Sequence, residues 1–556
     1  MARAAGSGVR RRLVRLRRRD LQDEARVRPP HQCVEQEPQG ARRRTLAGAG
    51  ARLAARALHE RTTAMTTEAE MGVAYDDLRS YIEACQAADD WRLIEGADWD
   101  AEIGALTEAA ADRIPEPPML LFDNIKGYPE GYRVVSLTES SWKRACIALG
   151  LPLDRPKLEL VRMAARKLKA AHDNLIGPTE VKSGPVMENV FEGEHVDVWQ
   201  LPIPRYHAAD GGRYLGTGGV LINKDPESDF INVGTYRMQA HEKDLLGLWM
   251  SPGQQGRQIC QRYWDQGKAA PVVAAYGLDP LTFSAGHMKL PWGKSELDLA
   301  GGLRGRSVDV IPGPITGLPI PAGAEIAIEG EVPPPWEQAE EEGPFGEWPG
   351  YYSGGTRGTG EPQPVIRIKA LYHRNSPIVH NQAPMWPGAA KFAIPIGAGL
   401  LWDQLEAAGI QDITGVFSYT GYLVAISIKQ RYAGHAKQTG HAAISAASGA
   451  RNGRYVVIVD EDIDVTDLKE VIWAMQTRVD PYTDIETIEG TWSTPLDPRM
   501  PPDKRASGDH TNSRAIFYAV RPFHWKDEFP VVSRTPADLR QSVIEKYRDI
   551  LPFPGF

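Results

Sequence analysis

Between about Asn189 and Gln382 the chain reads as short strands interrupted by Gly and Pro, which excludes a helical bundle for its middle third. The runs Gly218–Asn223 and Phe230–Met238 flank the polar stretch Lys224-Asp225-Pro226-Glu227-Ser228-Asp229 and predict a hairpin. Ala324–Glu331 and Val365–Leu371 alternate apolar with polar residues, as half-buried strands do. These runs together predict a β-barrel-like central domain.

The flanking segments carry a different pattern. Before the central region, Tyr75–Ala88 predicts a helix, Met119–Phe122 a buried strand and Leu158–Ala171 an amphipathic helix. After about Ala389, Tyr422–Ile428 and Tyr455–Val459 predict short apolar strands. Leu468, Val471, Ile472, Met475 and Val479 predict one face of a helix opened by Thr466 or Asp467. A chain of 556 residues exceeds what one core serves. The expected organisation is an Arg-rich extension over 1–64, an N-terminal α/β domain over 65–188, the central β domain over 189–388 and a C-terminal α/β domain over 389–556.

Composition removes several function classes. There is no apolar run of about eighteen residues or more, so no membrane span is predicted. Residues 1–64 hold 16 Arg, no Lys and 6 acidic residues, a formal +10, which leaves −18 on the rest of the chain. That acidic body argues against nucleic-acid binding. Lysine is absent from the first 64 residues although the rest of the chain uses both cations, so Met65, or else Met71, is expected to be the initiator and 1–64 to be disordered or not native. Cys33, Cys85, Cys146 and Cys260 form no CxxC pair, which suits reduced thiols in a cytoplasm. The acidic run Asp460–Asp464 lacks the glycine and the closing acid of a calcium loop and predicts a strand-to-helix connection.

Four segments carry chemistry. Glu342-Gly343-Pro344-Phe345-Gly346-Glu347 sets two carboxylates around a turn that Pro and Gly hold out of a helix, so a loop aims them. Taken alone it also reads as an acidic surface turn. Asn232-Val233-Gly234-Thr235-Tyr236-Arg237 offers an amide oxygen for a hard cation and a guanidinium fork for a carboxylate or phosphate. Ser295–Gly305 places Glu296 and Asp298 ahead of a Gly-rich turn, and Ile428–Lys437 supplies cations suited to a phosphate.

In order and spacing these four segments resemble the UbiD family of decarboxylases, as do Leu201-Pro202-Ile203-Pro204, Asp210-Gly211-Gly212-Arg213-Tyr214 and Arg478-Val479-Asp480-Pro481. The resemblance covers essentially all of residues 65–556. It implies an α+β multidomain subunit whose central split β-barrel, of flavin-reductase type, binds prenylated FMN between N- and C-terminal α/β domains. The cofactor implied is prenylated FMN from a flavin prenyltransferase, with Mn²⁺ or Mg²⁺ and in some members K⁺ bridging its phosphate. Carried over by position, Asn232, Glu296 and Gln255 would be the metal ligands. Asn232, Thr235, Tyr236, Arg237, Gln254, Gln255, Glu296 and Lys437 would contact the cofactor, with Lys429 and Arg431 as further phosphate candidates. Many members carry a His eighteen residues after the Arg, where this chain has Gln255, an oxygen donor weaker than imidazole.

The implied activity is non-oxidative, reversible decarboxylation of an aromatic or heteroaromatic acid in the cytoplasm, by a homodimer or homohexamer. Arg237 would hold the substrate carboxylate or tune the acid, Glu347 would deliver the proton and Glu342 would set its ionisation. A decarboxylase of acrylic or cinnamic acids shares these residues, and a non-catalytic flavin-binding subunit would keep the fold without needing all three. Trp386, Phe392, Ile394 and Leu400-Leu401 are candidates for the substrate pocket, with Phe392 and Leu401 equally suited to plain core.

Overall fold

The computed structural model describes residues 72–550 apart from 252, 289, 353–361, 382–383, 385–395, 420, 447, 449–452, 495 and 548. The expectations for 1–64 and both candidate initiators, and for Trp386, Phe392 and Ile394 in the pocket, lie outside these residues.

In the N-terminal layer, helix Leu78–Ala87 starts three residues later than its apolar pattern, because Asp77 caps it: the Asp77 carboxylate accepts the Ser80 N–H at 2.9 Å and Ser80 returns a bond to the Asp77 N–H at 3.1 Å. Strand Met119–Asp123 is buried at every position but its last, and helix Lys157–Asp173 packs Leu160, Met163, Ala164 and Leu168 inward. Four strands form the sheet of this layer, in the order Trp91–Glu95, Met119–Asp123, Arg133–Ser136 and Ile378–Asn381. The last lies within the stretch expected to be central barrel. It pairs instead with Arg133–Ser136, in parallel register from Ile378 opposite Arg133 to Asn381 opposite Ser136, and satisfies an edge that would otherwise be open.

A ten-stranded sheet occupies the centre, and two short connections force it to curl. Along its main path the strands run Arg213–Gly216, Arg237–Glu242, Leu245–Trp249, Pro362–His373, Ile326–Val332, Ala270–Tyr276, Gly219–Lys224 and Ile231–Gly234. Arg213–Gly216 and Gly219–Lys224 stand six strand spacings apart on that path, about 29 Å in a flat sheet. Only Thr217 and Gly218 join them, and such a link spans at most about 11 Å. Thr235 and Tyr236 make a second such link, from Ile231–Gly234 to Arg237–Glu242. The sheet therefore closes on itself as a half-barrel.

This corrects one expectation. The predicted hairpin forms, with Leu221 opposite Gly234 and Asn223 opposite Asn232. Phe230–Met238 is nevertheless two strands at distant places on the path, because the chain crosses the seam at Thr235-Tyr236. Strand Ile326–Val332, expected to be half-buried, is buried on both faces at all but one position. One apolar core joins the layers: Leu120, Phe122 and Val379 share it with Leu246, Tyr276 and Ile328.

The C-terminal sheet has the order Ile413–Tyr419, Leu423–Ile428, Tyr455–Asp460, Thr511–Ala519 and Ile485–Trp492. Helix Leu468–Arg478 is capped by Asp467 and buries Val471, Ala474 and Arg478, whereas Leu468 and Ile472 face outward, so the inward stripe is narrower than the sequence pattern. Arg478 explains the acidic run: it bonds Asp460 at 2.8 Å and Asp462 at 2.7 and 2.9 Å. Among the described residues no helix is long and apolar enough to cross a membrane.

Candidate active site

Arg237 opens a strand on which Arg237, Gln239 and His241 point to one face. That face meets the loop after strand Ala339–Glu341. Gln239 accepts the Gly343 N–H at 2.9 Å, and Gly211 donates its N–H to the Pro344 carbonyl at 2.7 Å. The two backbones meet so closely that a Cβ on Gly211 would lie 2.4 Å from the Gly343 Cα, so neither position tolerates a side chain. The Glu340–Glu342 charge run consequently divides, with Glu341 exposed and Glu342 only 3% exposed.

The structure brings the three residues read as catalytic together. Arg237 Nε and Nη2 donate to the two Glu342 oxygens at 2.5 and 2.7 Å, a bidentate pair, while Nη1 donates to Glu347. The guanidinium carbon lies 4.4 Å from the Trp249 ring centroid and 4.9 Å from that of Phe345. Burial pulls the Arg237 pKa down, but the charges of Glu347 and Glu342 and the bonds to Glu342 outweigh it and the net shift is upward. Glu347 moves the other way from an ordinary ion-paired acid. Burial raises its pKa, Arg237 opposes this, and the Glu342 charge adds to the rise. Two buried carboxyls thus share one cation, with burial favouring the protonated form of Glu347.

A second corner lies across the seam. Asn232 donates its amide to Asn223 Oδ1 at 3.0 Å, its partner in the ladder, and Glu296 accepts the Val233 N–H at 2.8 Å. Glu296 opens helix Glu296–Arg304, where the Ser295 side chain caps the Leu297 N–H. It is 3% exposed, and burial, only partly offset by backbone N–H groups, pushes its pKa up to about 7. No ion pair to it appears among the described residues, and no cluster of three His, Cys, Asp or Glu there could hold a metal. Its candidate partners are neutral amide oxygens. A buried carboxylate together with the amide oxygens of Asn232 and Gln255 would be a donor set of the kind a divalent cation takes.

The remaining predicted residues have more local bonds. Thr235 donates its N–H to the Gly286 carbonyl at 3.3 Å, and the Tyr236 hydroxyl accepts the Gly256 N–H at 3.2 Å. Gln254 accepts the Ser251 N–H at 2.8 Å, closing its own turn ahead of helix Gln255–Trp264, and Gln255 donates its amide to the Leu290 carbonyl at 2.9 Å. Lys437 is not brought to this group. Its side chain is 62% exposed, on helix His435–Ser445, with Glu486 at 3.7 Å. Arg431 pairs with Asp412 at 3.0 Å. Leu401 is buried against the C-terminal sheet, and Leu400 packs on the N-terminal core.

The sequence reading passed over Gln239 and Trp249 altogether. Gln239 could have been found, since it lies two residues from Arg237 on a strand and must share its face. Trp249 could not, because only the ladder register places it opposite Arg237.

An arginine holding two buried carboxylates stands at one end of the Thr235-Tyr236 crossing, and at the other a buried glutamate receives the Val233 N–H. The chain matches the family models for the 3-octaprenyl-4-hydroxybenzoate carboxy-lyase N-terminal domain over residues 82–168, the Rift-related domain over 179–387 and the C-terminal domain over 394–519. It belongs to the UbiD family. It is 32% identical over 440 residues to a phenolic acid decarboxylase of Streptomyces sp. (strain D7), covering 77% of this chain and 90% of the relative. It is 30% identical over 478 residues to the pyrrole-2-carboxylic acid decarboxylase of Pseudomonas aeruginosa, covering 81% and 93%. The fold resembles the UbiD-class enzyme HmfF from Pelotomaculum thermopropionicum in complex with FMN, with a TM-score of 0.72, 27% identity and coverage of 83% of this chain and 98% of HmfF. An evolved dimeric form of HmfF in complex with prFMN gives a TM-score of 0.69 at 26% identity, covering 84% and 98%.

Proposed function

We propose that this protein is a carboxy-lyase that removes CO₂ non-oxidatively from an aromatic or heteroaromatic carboxylic acid with the aid of prenylated FMN. The observation that carries the reading is the buried Arg237–Glu342–Glu347 group, in which two carboxyls share one fixed cation and burial raises the pKa of Glu347. Relatives that act on phenolic acids and on pyrrole-2-carboxylate support the substrate class. In this reading the curled sheet is a split barrel of flavin-reductase type, the metal is Mn²⁺ or Mg²⁺, with K⁺ as an additional ion, and the cofactor comes from a flavin prenyltransferase. The protein would work in the cytoplasm as a homodimer or homohexamer.

Bound prenylated FMN would supply the electron sink for the pair of electrons released when the carbon–carboxylate bond breaks. The protein supplies position and a proton. Three of the five Arg237 N–H groups are spent on Glu342 and Glu347, which favours tuning the acid over holding the substrate carboxylate. Glu347 delivers its proton to the ring carbon that CO₂ has left, and Glu342 keeps the guanidinium in place while raising the cost of ionising Glu347. Asn232, Glu296 and Gln255 would hold the divalent ion against the cofactor phosphate, and the cation would remove the cost of burying the Glu296 charge.

The test is to produce the protein together with a flavin prenyltransferase, identify the bound cofactor by absorbance and mass, and incubate it with hydroxybenzoic acids and pyrrole-2-carboxylate in D₂O. Release of CO₂ with one deuteron at the vacated carbon is expected. A cofactor-loaded protein that releases no CO₂ from any of these acids would refute the reading.

A further inference from the structure

We propose that His207 and Asp210 form a positioning pair for Glu347, gripping the backbone of Gly346 and thereby aiming the carboxyl of the next residue. The proposal rests on the reading of Glu347 as proton donor.

The Asp210 carboxylate is buried and fully engaged. Oδ1 accepts the Gly346 N–H and the Tyr352 hydroxyl, each at 3.0 Å. Oδ2 accepts the His207 N–H at 2.9 Å and lies 3.4 Å from His207 Nδ1. The imidazole packs directly on the acid loop, since a Cβ on Gly346 would lie 2.9 Å from Nδ1. The loop backbone is tied at Gly343 to Gln239 and the Tyr214 hydroxyl, at Pro344 to Gly211 and at Gly346 to Asp210. The last adjoins Glu347, whose own N–H turns away to the Tyr351 carbonyl at 3.0 Å. The direction of the Glu347 side chain therefore depends on Asp210 more than on the other ties.

His207 gives the tie a charge. Its ring stands between Asp210 and Glu108, whose Oε2 lies 3.7 Å from Nε2 on helix Glu102–Arg113. The other groups around it are Arg205 on its own segment, which bonds Asp100 at 2.5 Å, Tyr352 through Asp210, and the Pro384 carbonyl. Burial works against the imidazolium, but the Asp210 bond and charge, then Glu108 and Pro384, outweigh it and raise the pKa. In its protonated form the His207 ring, 3.4 Å from Oδ2, attracts Asp210 by charge, and that attraction is lost as pH rises and the proton leaves.

The experiment compares Asp210→Ala and His207→Gln with the unaltered protein, all loaded with cofactor, in turnover of pyrrole-2-carboxylate and hydroxybenzoic acids and in amide hydrogen exchange of residues 343–348. For Asp210→Ala, kcat should fall about 100-fold with KM changed less than about threefold, as expected for a misplaced group that does not bind substrate. Exchange in 343–348 should quicken about tenfold while flavin content stays the same. On the alkaline side, log kcat of the unaltered protein should fall with a slope approaching two, from Glu347 and His207 together, and with a slope of about one in His207→Gln. A lower Tm with unchanged kcat per loaded enzyme, or unchanged exchange and alkaline slope, overturns the proposal. If no acid is turned over by the unaltered protein yet exchange quickens in Asp210→Ala, the grip on the loop stands, and the decarboxylase reading falls together with the positioning role that rests on it.

Discussion

Asn232 and Arg237 are near neighbours in sequence yet serve corners of opposite electrostatic character. At Arg237 the carboxylates come with a cation already in place: a bidentate bond to Glu342, a third bond to Glu347, and Trp249 and Phe345 against the guanidinium. At Asn232 a buried carboxylate, Glu296, receives the backbone N–H of Val233, and burial raises its pKa to about 7. The first corner carries its own cation, whereas among the described residues the second has no ion pair, and burial there favours the protonated carboxyl. The two-residue crossing at Thr235-Tyr236 joins the strands that carry them, which are distant along the sheet.

The contrast breaks most severely at Glu347. Glu347→Gln keeps the volume and removes the titrating proton, so kcat should fall by at least about 100-fold, the low end of a general acid's contribution, with flavin content unchanged. Arg237→Ala should be nearly as damaging to turnover and, unlike Glu347→Gln, should destabilise the fold by about 3–5 kcal/mol, the cost of leaving two buried carboxylates without their cation; urea denaturation separates the two effects.

A smaller effect with the sign reversed is expected at Glu296. Its raised pKa means that folding favours the protonated form. The contribution of Glu296 to the stability of metal-free protein should be full below the ordinary glutamate pKa and be lost as pH rises through about 7, with Glu139, which burial pushes to about 8, extending the loss. Glu296→Gln should recover up to about 3 kcal/mol at pH 8 in metal-free protein and abolish the rise in Tm that Mn²⁺ gives the unaltered protein. The smallest change is Gln255→His, which should tighten Mn²⁺ binding about tenfold by calorimetry if Gln255 faces the ion; an unchanged affinity would exclude position 255 from the ligand set.

Much of the layout was legible beforehand. Strand and helix periodicity located the alternation of mixed, strand-rich and mixed segments, and the Gly-Pro-Phe-Gly turn showed that a loop, not a helix, would present the two glutamates. The break in Phe230–Met238 was hidden because Thr235 and Tyr236 are ordinary strand residues, and only closure of the sheet makes them a crossing. Strand Ile378–Asn381 is apolar in either layer, so its pattern could not say that it pairs with Arg133–Ser136. Lys437, read as a phosphate contact, is exposed and has Glu486 at 3.7 Å, a neighbour that its sequence position does not disclose.

The sequence by itself determined the inventory: which side chains could act as acid, cation or oxygen donor, and that Gly and Pro would hold the acid pair in a loop. These are properties of residue type and local backbone geometry, which neighbours in the chain suffice to express. Only the tertiary structure decided who stands next to whom, because partners more than a hundred residues apart meet through strand register and sheet closure. Burial then raised the pKa of Glu347 despite its arginine, and a desolvation cost of that kind depends on what surrounds a group, not on where it lies in the chain.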